Sequence, residues 1–235
     1  MASEQLPFPF EMPPEAEAAP LPTRTAGKNT RGSRPQPFHY TDAMGEVVRD
    51  IVRTLDEFRH VDLDRVLVSI AQARQASRHG TYASCFPMRF ENGAQEAVFR
   101  KKRFRMPSLL HEGREILYVL YFMLPRFHEE QDYPAKLATI IHELYHISPL
   151  FNGDIRRFPG KNFAHGHSRE VYHAAMCKLA GRYLALSPQA EAHEFLKVPF
   201  SELLKRPGGV VGFSVTRPKA VLVPSPAPEK GRKRR

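Results

Sequence analysis

The chain has 235 residues, 42% of them hydrophobic, and a formal net charge of +10. That length suits one domain with tails and can bury a core without covalent staples, while two cysteines, Cys85 and Cys177, exclude a disulfide framework and a four-cysteine zinc site. No run approaches the ~18 consecutive apolar residues of a membrane span, and no charged start precedes an apolar block at the N-terminus, so the expectation is a cytoplasmic chain with no membrane partner.

The positive charge is unevenly spread. Residues 217–235 hold seven basic side chains and one Glu, so the rest of the chain is only mildly basic. Residues 1–37 contain eight of the 21 prolines and no periodic apolar pattern. Such a stretch cannot bury enough surface to offset the entropy of ordering, and a disordered arm is expected there. The expected division is a disordered Pro-rich arm over 1–37, one folded domain over 38–205 and a basic flexible tail over 206–235.

Within the domain, Met44, Val47, Val48, Ile51, Val52, Leu55 and Phe58 fall at helical spacing, with Thr41 or Asp42 placed to cap the start. Three apolar or alternating runs follow, at about 65–70, 82–90 and 97–105, and read as strands. Glu91-Asn92-Gly93 separates the second from the third, and Asn-Gly favours a tight turn, so these two are expected to form a hairpin. A fourth run over 116–123 reads as a buried strand ended by Pro125.

The most informative stretch is His142-Glu143-Leu144-Tyr145-His146, an HExxH pattern on a helix expected to begin near Pro134 with Asp132 as its cap. At 100° per residue, Leu137, Ile140, Ile141 and Leu144 share one side, and His142 and His146 point to roughly the opposite side. Residues i and i+4 can then grip one Zn²⁺, and Glu143 faces a zinc-activated water as general base and acid. Ser148-Pro149 ends the helix. After a loop rich in Gly, Asn, Pro and Arg, Tyr172, Ala175, Met176, Leu179, Ala180, Tyr183 and Leu184 mark another amphipathic helix, and shorter helices are expected near 191–196 and 201–204.

A third ligand must come from His165, His167 or Glu170. The metzincin pattern needs His at position 152, which is Asn152, whereas Glu170 would be the gluzincin solution. His167, at the junction of loop and helix, is the preferred choice and His165 the second. Asp154, Arg156 and Arg157 could orient a ligand or hold an oxyanion, but a solvated loop with local ion pairs explains them as well. Tyr145 and Tyr172 could donate to an oxyanion, with aromatic packing the simpler role.

The runs YPAKLATIIHELYH, FNGDIRRF and HGHSREVY resemble the small zincin-type metallopeptidases of phages and prophages, and more distantly the SprT-like proteases. The resemblance spans about residues 40–186. It implies an α+β minimal zincin-like domain, in which a small antiparallel or mixed sheet packs on the HExxH helix and flanking helices. It further implies zinc held by His142, His146 and His167, with Glu143 as catalytic acid/base in hydrolysis of a protein or peptide substrate. The zinc ribbon that follows the protease domain in some SprT-like proteins is absent. The alternative is a DNA-associated binding protein on the same scaffold, with little or no proteolysis. For that reading, Arg100-Lys101-Lys102-Arg103-Phe104-Arg105 and the tail Lys230-Gly231-Arg232-Lys233-Arg234-Arg235 would supply nonspecific phosphate contacts; a charged strand guarding a sheet edge is the plainer reading.

Overall fold

The computed structural model describes residues 36–73, 80–160, 163–166, 168–186 and 190–224. The elements run β1 (Phe38–His39), α1 (Tyr40–Thr54), β2 (Val66–Gln72), β3 (Ala83–Pro87), β4 (Glu96–Phe99), β5 (Lys102–Arg105), β6 (Leu109–His111), β7 (Arg114–Ile116) and β8 (Tyr118–Leu124), and then α2 (Arg126–Glu129), α3 (Tyr133–Tyr145), α4 (Arg169–Leu186), α5 (Phe200–Leu204), β9 (Val210–Val211) and β10 (Val221–Val223). A 3₁₀ run over Ala190–Lys197 precedes α5. The result is a mixed α+β domain with several helices and small sheets, the coarse class the sequence implied. The expected arm falls almost wholly outside the described residues, as does the end of the basic tail.

The central sheet has the order β2-β8-β3, with β2 parallel and β3 antiparallel to β8. Strand β8, YVLYFML, is buried at nearly every position. A strand with apolar side chains on both faces needs cover on both, and that demand makes β8 the middle strand. One face meets α1 and α3 through Met44, Ile51, Leu120, Phe122, Ile140 and Leu144, and α4 packs on α3; the other meets a second apolar cluster built on Met88, Phe90, Met106 and Tyr121. Leu137, Ile140, Ile141 and Leu144 are completely buried, so the core face of the motif helix is the one periodicity assigned. Burial of each contributes about 1.5–3 kcal/mol before entropy is counted.

Two strand expectations are corrected. The second and third runs do not pair: β3 bonds to β8, and the third run is itself a hairpin, β4 against β5. Asn92 and Gly93 do take left-handed backbone angles, φ 59° and 78°. Their turn instead packs against the loop after the motif helix, where Asp154 accepts from the Asn92 N–H at 2.9 Å. The tight turn of the β4–β5 hairpin uses Arg100 and Lys101, at φ 48° and 64°.

Residues 206–224, expected as part of a flexible tail, run back across the domain. Strand β9 lies parallel to β1 and β10 pairs antiparallel with β5. Between them, Phe213 N donates to Thr41 Oγ1 at 3.0 Å and Val215 N to Ser69 Oγ at 3.0 Å. Thr41 thus serves this segment, and α1 starts at Tyr40 with no side-chain cap bond.

One buried polar cluster fastens the 190–204 segment to the core. His128, 1% exposed, has Nδ1 2.9 Å from Tyr40 Oη and Nε2 2.6 Å from the Val198 carbonyl oxygen. The carbonyl can only accept, so Nε2 carries the proton and Nδ1 accepts from the tyrosine. Burial, reinforced by the charge of Lys136, pushes the His128 pKa down to about 4. A depressed histidine pKa means that the unfolded chain binds more protons as pH falls, so the stabilisation is full above the unfolded value near 6.5 and is lost between there and about 4. His128→Gln is therefore expected to flatten the fall in Tm between pH 7 and pH 4.5, measured by thermal melts in low-salt buffers.

Candidate metal centre

The motif helix α3 begins as its sequence dictates. Asp132 Oδ1 accepts from Ala135 N at 2.9 Å, and Pro134 occupies the first turn, where its missing N–H costs nothing. Its last residue is Tyr145, so His146 forms the C-cap. The loop that follows is pinned to this end: Arg156 N donates to the His146 carbonyl at 2.7 Å, Arg156 Nε to the Tyr145 carbonyl at 2.8 Å, and Ile147 bridges Ile155.

Three imidazoles meet above the helix. The ligand nitrogens of His142, His146 and His165 all lie within 4.8 Å of one another. His142 Nε2 is 3.0 Å from His146 Nε2 and 3.2 Å from His165 Nε2. Ligands at Zn–N distances of about 2.0–2.1 Å in a tetrahedron sit about 3.3–3.4 Å apart, close to this spacing. Burial depresses all three: His142 falls to about 4, with His165 and His173 adding repulsion, His146 lies well below the usual range, and His165 is lowered by burial and by Arg169. Neutral imidazole is the form that binds metal. The donor set therefore fits a zinc ion with one position left open.

Of the three third-ligand candidates, His165 is the one in this cluster. The preferred choice, His167, lies outside the described residues. Glu170 is exposed and accepts a hydrogen bond from Ser168 Oγ at 2.5 Å, at the start of its own helix and not in the cluster. The position of His165 is set by its loop, where Phe158 N donates to the Phe163 carbonyl at 2.7 Å.

Glu143 is 6% exposed and its Oε2 accepts from the Cys85 N–H of β3 at 2.6 Å. Burial raises its pKa to about 8, against the opposing pull of that N–H and of the Arg217 charge. Glu143, the three histidines, Thr139, Arg169, His173 and the segment 80–83 line one cleft of about 440 Å³. Tyr172 packs on the three imidazoles: its ring stacks on His146 at 5.8 Å and meets His142 and His165 edge-on at 4.9 and 5.0 Å. Its buried hydroxyl has no hydrogen-bond partner among the described residues.

The charged loop residues have structural partners. Asp154 accepts from Arg157 Nε at 2.9 Å, Arg157 Nη2 at 3.0 Å and Ile155 N at 2.8 Å, and Arg156 lies over the Tyr145 ring at 4.1 Å. They brace the loop outside the cleft through a local ion pair, as the plainer reading had it, but Asp154 is buried and not solvated. Gly153 is part of that brace. At φ +87° it donates to Tyr118 Oη at 3.0 Å, and a Cβ there would stand 2.5 Å from Arg89 Cγ. Gly153→Ala is expected to cost about 2 kcal/mol, combining strain and overlap, a fall in Tm of about 4–8 °C by calorimetry.

Sequence reading missed three contributors: the Cys85 N–H, because a backbone donor leaves no mark in the sequence; Arg217, whose Nη2 donates to Ser84 Oγ at 2.7 Å on the strand that carries Cys85; and the cleft pair Arg169 and His173, the histidine reading from the sequence only as a partly exposed helix residue. Only the last pair left a signal, since 165, 169 and 173 share a spacing of four. Searches against family models, curated proteins and solved structures found no match for this chain. No described helix is long and apolar enough to cross a membrane.

Proposed function

We propose that the chain is a zinc-dependent metallopeptidase of the minimal zincin type, with likeness to the phage and SprT-like enzymes. Its ligands are His142, His146 and His165, and Glu143 is the catalytic acid/base. The observation that carries this reading is the convergence of three neutral imidazoles within 4.8 Å, two of them from HExxH, in one cleft with a buried carboxylate. When bound, zinc supplies Lewis acidity, which acidifies water and polarises an amide carbonyl.

The protein's own part is proton handling and placement. Glu143 takes a proton from the attacking water, which forms the new C–O bond, and returns it to the nitrogen as the C–N bond breaks. In the metal-free protein burial holds this carboxyl at about 8, and a divalent cation bound beside it would lower it towards the neutral range that suits both duties. The Cys85 N–H fixes one carboxylate oxygen and so the direction of the other. Cleavage of casein by zinc-loaded protein, its arrest by a chelator and its return with added zinc test the reading; cleavage unaffected by the chelator would sink it.

The alternative, a DNA-associated module, draws on the β4–β5 hairpin, whose tip holds Arg100, Lys101 and Lys102 exposed and without ion pairs among the described residues. Arg103 and Arg105 are partly neutralised by Glu96 across the strand pair. If duplex DNA binds with a steep salt dependence while neither wild type nor Glu143→Gln cleaves any protein, this alternative replaces the first.

A further inference from the structure

We propose that Arg169 forms a carboxylate-binding subsite beside the reacting centre, so that the preferred substrates are peptides carrying an acidic group next to the scissile bond. The proposal rests on the metallopeptidase reading and adds the substrate class. Arg169 and His173 stand one turn apart on α4 and both line the cleft, on the side of His165. The other described lining residues, from Gly80 to Ala83 and at Thr139, carry no charge. Among the described residues Glu143 is the one acid lining the cleft, and it is buried and held by the Cys85 N–H.

Arg169 is exposed and takes part in no ion pair among the described residues. The acid beside it in sequence, Glu170, is hydrogen-bonded to Ser168. Arg169 and His165 line the same cleft. The open part of the cleft is therefore positive even before a divalent cation is added. A planar fork of donors suits a carboxylate and repels a lysine or arginine side chain at the same place.

The test uses blocked peptides that share one cleavage bond and differ only in Glu, Gln or Lys beside it. Zinc-loaded wild type is expected to prefer Glu over Gln by about tenfold in kcat/KM, the low end for a charge-assisted contact in an open cleft, and to handle Lys least well. Arg169→Gln should bring the Glu/Gln ratio to about one with zinc content unchanged, and Arg169→Glu should favour Lys. A further pair, ending in a free acid or an amide, separates a side-chain carboxylate from a chain terminus as the bound group. Binding gives a second readout: fluorescence anisotropy on zinc-loaded Glu143→Gln protein should show tighter Kd for the Glu peptide, and equal affinities once Arg169→Gln is added. Equal rates and affinities for Glu, Gln and Lys peptides in an active, zinc-loaded wild type overturn the subsite alone. A wild type that takes up no zinc and cleaves none of them overturns the subsite and the peptidase together.

Discussion

Glu143→Gln is expected to keep zinc and to lose about 10²- to 10⁴-fold in peptide cleavage, the range attributed to a positioned acid/base group. The amide is nearly isosteric, and its oxygen can accept from the Cys85 N–H that now holds Oε2 at 2.6 Å, so the cleft keeps its shape. What the amide cannot do is take up a proton. The substitution has a second, opposite signature. Burial holds the folded-state pKa of Glu143 at about 8, above that of an unfolded glutamate, so the unfolded chain releases this proton more readily and stability falls as pH rises from about 4.3 towards 8. Metal-free Glu143→Gln should therefore melt above metal-free wild type at pH 7, with the gap closing near pH 4. A variant with a lower Tm at pH 7 and reduced zinc content would mean that Glu143 supports the fold or binds the metal.

His165→Ala is expected to reduce zinc affinity beyond the roughly 10- to 100-fold that loss of an outer partner costs, because it removes one of three donors directly. The same substitution at His167 or Glu170 should leave zinc bound. The prediction follows from the 3.2 Å separation of His165 and His142 and from the exposed, Ser168-bonded position of Glu170. Competition with a zinc-binding dye gives the affinities. Loss of zinc from His167→Ala with His165→Ala unaffected would reassign the third ligand.

The parts legible in the sequence are those set by local rules. The core face of α3, its Asp132 cap and Pro134 entry and the buried stripe of α4 at Tyr172, Met176, Ala180 and Tyr183 follow from a period of 3.6 and from the needs of unpaired helix ends, whereas the helix expected near 191–196 is a 3₁₀ run. Pairing was not legible, because partner choice is non-local: Asn92-Gly93 makes its turn, yet β3 goes to β8, whose two apolar faces require a central place. The third ligand was ambiguous for a related reason, since a loop has no period to separate position 165 from 167. Basic composition hid the apolar content of 206–224, where Val210, Val215 and Val221 to Val223 are interspersed with Arg and Lys and find partners far away in the chain.

The proposed zinc site consists of His142, His146 and His165. Native mass spectrometry of the purified chain titrated with Zn²⁺ tests it most directly. The account predicts a mass increase of one zinc per chain in the wild type, removed by a chelator and absent in both His142→Ala and His165→Ala. A wild-type chain that stays metal-free in excess zinc, or one that binds it equally well without His142, would contradict it.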